Sequence, residues 1–138
     1  RQAVAANEVL WYKADSNSAV GVIMRYRSGT TIWLYQKNDA SGATIQNTSN
    51  TNTNTNVYSI VLEPAAQAGY VNGSLVDTDT VSTAYDNNSG PWLGSRRDVG
   101  EYLNGDIAEI LFFNRAISAA ERSRVERYLG RKWGITVA

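Results

Sequence analysis

The chain is written in short alternating runs. In Val20-Gly21-Val22-Ile23-Met24-Arg25-Tyr26, the apolar Val20, Val22, Met24 and Tyr26 share one face and Arg25 stands on the other, which is the period of a half-buried strand. Comparable runs bounded by turn residues predict strands at residues 8–12, 20–26, 31–36, 57–62, 68–71, 74–76 and 107–113. Asn72-Gly73 lies between the runs "AGYV" and "SLV", and a two-residue type I′ turn needs positive φ at both central positions, so this pair predicts a tight hairpin. The polar, uncharged "SNTNTNTN" at residues 49–56 predicts an exposed loop or hairpin end.

The period changes after Phe113. Ser118 followed three residues later by Glu121 forms a capping box, and Val125, Tyr128 and Leu129 then make an apolar stripe at helical spacing. Gly130 weakens that helix by about 1 kcal/mol relative to Ala, and Gly134 is placed to end it. Trp133, beyond the stripe, is expected to cover apolar surface left open by the sheets. Many short strands followed by one helix predict an all-β fold, a sandwich of two antiparallel sheets with a short C-terminal α-helix.

The stretch "YLNGDIAEILFFNRAISAAERSRVERYLGRKWGI" resembles the closing segment of bacterial and phage laminin-G-like modules of the concanavalin A-like superfamily. In those modules a Gly-x-Ile-x-Glu strand runs into Asn-Arg-Ala-Leu-Ser and a capped helix that ends on Lys-Trp-Gly. "AGYVNGSLV" is similar to the family's hairpin, "EVLWYKADSNSAVGVIMRY" to its first core strands, and Leu93-Gly94 to a core strand motif. The resemblance spans most of residues 8–135, closest after Tyr102 and looser before Val57. It implies a jelly roll that binds glycans or protein surfaces in extracellular, cell-envelope or virion proteins. Ile117 stands where Leu is usual. Ala108 stands where many members carry an acid, which argues against a polar or metal role there. The chain begins Arg1-Gln2 and is expected to be a processed product or a fragment of a longer protein; the family's opening strands are not found, so they are either supplied by a preceding part of the parent or absent from a minimal version of the module.

Composition narrows the chemistry. The 138 residues, 43% hydrophobic, suit one domain over residues 1–138. Thirteen Lys and Arg balance thirteen Asp and Glu, so no whole-molecule field gathers nucleic acid. From Asn114 to Trp133 there are six basic residues and two acidic ones, but the face formed by Arg124, Arg127 and Arg131 is expected to be a solvated one rather than a nucleic-acid surface. The absence of Cys and His removes disulfides, thiolate metal sites and every Ser-His or Cys-His nucleophile pair. No apolar run is long enough for a membrane span.

Sugar binding asks for an aromatic face against the C–H side of a pyranose ring, ringed by planar hydrogen-bonding groups. "DNNSGPWLGSRRD" offers Asn87, Asn88, Trp92, Arg96, Arg97 and Asp98, with Trp92 placed either to pack or to bind, and the run Ile32-Trp33-Leu34-Tyr35 makes both faces of its strand apolar, so one pair is core and the other is a stacking platform or lies under a missing strand or a neighbouring domain; Trp33 and Tyr35 are the platform candidates. Calcium would be served by loop carboxylates, of which Asp77, Asp79 and Asp86 are the candidates; no other cofactor is expected. A glycosidase needs two carboxylates facing each other across a sugar. Asp106 and Glu109 are the nearest pair, yet three residues apart on a strand they face opposite ways. Glu109 is expected to be satisfied by Arg115 or by backbone N–H groups. The expectation is a non-enzymatic recognition module for a glycan or a surface partner, extracellular, envelope-bound or on a virion. The rival is a decoration, attachment or spacer domain that contacts sibling subunits.

Overall fold

The computed structural model describes residues 8–14, 21–27, 31–37, 43–47, 54–63, 66–80, 90–96 and 100–138. Its strands are β1 (Glu8–Ala14), β2 (Gly21–Arg27), β3 (Thr31–Lys37), β4 (Ala43–Asn47), β5 (Tyr58–Glu63), β6 (Ala66–Val71), β7 (Ser74–Thr80) and β8 (Trp92–Leu93), followed by α1 (Ala119–Trp133). A five-stranded sheet has the order β4-β3-β2-β1-β8 and a three-stranded sheet the order β5-β6-β7, with every ladder antiparallel. β7 runs close to β4, where the two sheets meet. Val9, Tyr12 and Val57 are buried, with Leu10, Met24, Tyr58, Ile60 and Val76 packed around them. This is the all-β sandwich with a C-terminal helix that the alternation predicts.

The β6–β7 hairpin turns on Asn72 (φ 49°) and Gly73 (φ 84°), the pair of positive angles a type I′ turn requires. Asn72 then does more than turn the chain. Its Oδ1 accepts from Val57 N at 2.8 Å, its Nδ2 donates to Asn56 Oδ1 at 2.8 Å, and its backbone N donates to Val57 O at 2.9 Å. The polar tract is therefore anchored at its end, while Asn54 and Thr55 stay exposed. The C-terminal residues return to the same turn, where Ala138 N donates to Asn72 O at 2.9 Å.

The helix starts as its sequence dictates. Ser118 Oγ accepts from Glu121 N and Glu121 Oε2 accepts from Ser118 N, and Gly134 closes the other end in the left-handed region. Its buried face differs from the expected stripe. Glu126 and Gly130 are the buried positions, whereas Tyr128 is exposed. Arg122 is the reason. Its guanidinium stacks on Tyr70 of β6 and its Nη1 donates to Glu126 Oε2 at 2.6 Å, so an intrahelical ion pair backs the stack that meets the three-stranded sheet, while Val125 and Leu129 are half-buried.

Four further expectations are corrected. Residues 74–76 are the start of a longer strand that reaches Thr80, and β4 was not foreseen from the sequence. Residues 107–113 belong to no strand, and Ile107, Ile110, Leu111, Phe112 and Phe113 are exposed. A strand exists through its ladder, and among the described residues no edge pairs with this segment. Side chains hold it instead: Trp133 Nε1 donates to Glu109 Oε2 at 3.0 Å, Lys132 Nζ lies 3.0 Å from the same oxygen, and Phe112 packs against Trp11 with ring centroids 5.4 Å apart. Trp133 is thus a half-exposed tether rather than a cover for the core, and Glu109 is satisfied by these two groups while Arg115 binds Glu121.

Candidate ligand face on the five-stranded sheet

The ladders set residues in rows across the five strands. Thr44 stands opposite Tyr35, Tyr35 opposite Ile23, Ile23 opposite Tyr12, and Tyr12 opposite Trp92, so one row crosses all five strands. At about 4.8 Å per strand this row spans about 19 Å. The adjacent row on the same face runs Gln46, Trp33, Arg25, Val9. Val9 and Tyr12 share that face although they are three residues apart, because the register shifts between Val9 and Trp11. One extra residue in β1 restores the parity that plain alternation would break.

The segment after β8 folds over the β1 end of this face. Gly94 N donates to Leu10 O at 3.0 Å, Leu103 N to Gly94 O at 2.8 Å and Arg96 N to Glu101 O at 3.0 Å, while Ser95 bridges Tyr102. Gly94 makes this approach at φ 69°, which favours glycine. Glu101 then gathers two guanidiniums, Arg96 at 3.3 Å and Arg25 at 3.6 Å, and Arg96 lies over the Tyr12 ring at 5.8 Å. All three charged side chains are mostly buried, the arginines at 18% exposed and Glu101 at 17%, which strengthens their mutual attraction relative to a surface pair. Tyr12 is buried beneath them, whereas Trp92 remains 45% exposed and Tyr102 68%. An indole at the β8 end of the face is thus exposed, and so is the Tyr102 phenol in the segment that follows β8.

The candidates read from the sequence divide accordingly. Trp33, Tyr35 and Trp92 come to one face by register, and Arg96 reaches the same face through Tyr12. Asp86, Asn87, Asn88, Arg97 and Asp98 lie outside the described residues. Asp77 and Asp79 are not loop residues but successive same-face positions of β7, and each Oδ1 accepts from the following backbone N–H, Thr78 N at 2.9 Å and Thr80 N at 2.7 Å. The calcium loop expected there is a strand, since β7 continues its ladder with β6 as far as Ala66–Thr80. Among the described residues no cluster of three acidic side chains converges. Tyr12, Arg25, Glu101 and Tyr102 were not foreseen. The alternation that put Arg25 opposite Val22 and Met24 was their one signal, since a charged residue on the second face of a strand asks for a partner.

Asp106 and Glu109 line a shallow cleft with Leu93, Gly94, Leu103 and Ile110. The Trp133 indole N–H and the Lys132 ammonium hold the Glu109 carboxyl below the usual carboxylate range. That is the opposite of the raised value a general acid needs.

A sequence model of the concanavalin A-like lectin/glucanases superfamily, of laminin-G type, matches residues 1–121, ending in the first turn of α1. No curated protein matches the chain. Among solved structures, a segment of an S-layer domain-containing protein from Clostridium thermocellum is similar at 20% identity and a TM-score of 0.40, over 91% of this chain and 65% of that one.

Proposed function

We propose that this chain, which belongs to the concanavalin A-like lectin/glucanase superfamily, is a non-enzymatic recognition module that binds carbohydrate at the Trp92 end of the five-stranded sheet, in a protein displayed on a cell or virion surface. The observation that carries the proposal is Trp92, an indole left 45% exposed at the ladder position opposite Tyr12, over whose ring lies Arg96 of the Arg25–Glu101–Arg96 cluster. An exposed aromatic of this size, paired across the ladder with Tyr12 and its overlying Arg96, supplies the apolar platform and a polar group of the rim that a pyranose ring requires. The proposal is non-enzymatic because the one carboxylate with a marked environment in the neighbouring cleft, Glu109, is held ionised. The proposed site draws on neither Asp77 nor Asp79, which lie on β7 of the three-stranded sheet.

A glycan array tests it. Saturable binding to a defined sugar class that is lost in Trp92→Ala, with unchanged circular dichroism, supports the proposal. A bare array for a folded protein, or binding indifferent to both Trp92→Ala and Trp33→Ala, rejects it.

A further inference from the structure

The sequence holds two Asn-Gly pairs, Asn72-Gly73 and Asn104-Gly105, and the fold treats them oppositely. Without a Cβ on the glycine, its backbone nitrogen can approach the preceding side-chain amide carbon, provided that both are free to move. At Asn72 they are not. Its Oδ1 accepts from Val57 N at 2.8 Å, its Nδ2 donates to Asn56 Oδ1 at 2.8 Å, and its backbone is fixed on both sides, N to Val57 O and O to Ala138 N. Asn104 is the converse. Asn104, Gly105 and Asp106 are exposed and lie outside every helix and strand, and among the described residues neither the Asn104 side chain nor the Gly105 N–H has a hydrogen-bond partner. The anchors of this segment stop at the Asn104 backbone: Leu103 N donates to Gly94 O at 2.8 Å and Asn104 N to Glu8 Oε2 at 3.3 Å.

We propose that Asn104 is a self-modifying site, which converts in water to a mixture of aspartyl and isoaspartyl residues. The Gly105 nitrogen, giving up its proton to hydroxide, attacks Asn104 Cγ; the Cγ–Nδ2 bond breaks, ammonia leaves with a proton from water, and a five-membered imide closes. Water then opens the ring at either carbonyl, which leaves an α-linked aspartyl or a β-linked isoaspartyl peptide and, in both, one new carboxylate. That charge arises beside two others. The Glu8 carboxyl, only 6% exposed, already accepts from Asn104 N, and Asp106 stands two residues on. Like charges at such separations repel. The isoaspartyl form also inserts a methylene into the backbone directly after Leu103, whose N–H ties the segment to Gly94. Conversion therefore loosens this segment from the five-stranded sheet, at the cleft lined by Gly94, Leu103, Gly105 and Asp106.

Peptide mapping by mass spectrometry, on the whole folded chain held in mildly alkaline buffer, tests the proposal. The expected result is an amide-to-acid mass gain at Asn104 that accumulates at least about tenfold faster than at Asn72, which must first release two side-chain hydrogen bonds. In urea, where those bonds are gone, the two sites should react at similar rates. Enzymatic methylation of the isoaspartyl carboxylate identifies the β-linked product, and the fraction modified at Asn104, separated by ion exchange, should unfold at a lower temperature than the unmodified fraction. Equal rates at the two sites in the folded chain overturn the proposal, as does an Asn104 that stays intact when folded while it converts in urea, or a modified fraction as stable as the unmodified one.

Discussion

The guanidinium carbon of Arg122 sits 3.5 Å from the centroid of the Tyr70 ring, with Glu126 bonded to its edge at 2.6 Å. This contact joins the helix to the three-stranded sheet, and it is nearly sealed from solvent, with Arg122 at 13% and Glu126 at 1% exposed.

Removing one partner of such a pair leaves a buried charge without compensation. Arg122→Met is therefore expected to destabilise the fold by about 3 kcal/mol. Arg122→Met combined with Glu126→Leu should recover most of that loss. Urea unfolding midpoints at constant slope measure both.

Glu121 gives a pH test. Its carboxyl is pulled down to about 2, first by the Arg115 hydrogen bonds and then by the Ser118 N–H and hydroxyl. A carboxylate whose folded value lies below its unfolded 4.5 contributes stability that is fully present above about 4.5 and is lost as pH falls toward about 2. Thermal midpoints followed by helix ellipticity should decline across that window, and Glu121→Gln should flatten this part of the decline.

Gly130 reverses a common rule. Ala is ordinarily better than Gly inside a helix by about 1 kcal/mol. Here a Cβ at position 130 would sit 2.7 Å from Ile135 O and 2.7 Å from Val137 Cγ2, so Gly130→Ala is expected to lower stability. Deleting residues 135–138 removes the obstacle, and in that shortened background the same substitution should be neutral or stabilising. Chemical denaturation of the four proteins separates the two effects.

Asn72 supplies both a left-handed backbone and an amide that satisfies the buried Val57 N–H. Asn72→Gly keeps the first and loses the second, and is expected to cost about 1–2 kcal/mol. Asn72→Ala loses both and should cost more. Comparing their thermal midpoints checks the order.

What the sequence made legible is what local chemistry decides. The capping box at Ser118 and Glu121, the turn at Asn72-Gly73 and the alternation of β2 each rest on neighbours within a few residues. The misses need distant partners. Residues 107–113 alternate like a strand but have no ladder among the described residues, and Arg122 and Glu126 look like a solvated pair until Tyr70 is placed beneath them. Trp33, Tyr35, Trp92 and Arg96 stand out in the sequence as aromatic and basic residues, but the register that aligns them does not. Only the bulge in β1 brings Val9 and Tyr12 to that face, and no periodicity count reports an inserted residue.

The return of residues 135–138 to the β6–β7 turn makes two elements distant in sequence share one strap. Val137 lies against both Gly73 and Gly130, and Ala138 N bonds to Asn72 O, so whatever displaces this strap loosens the hairpin and the helix at once.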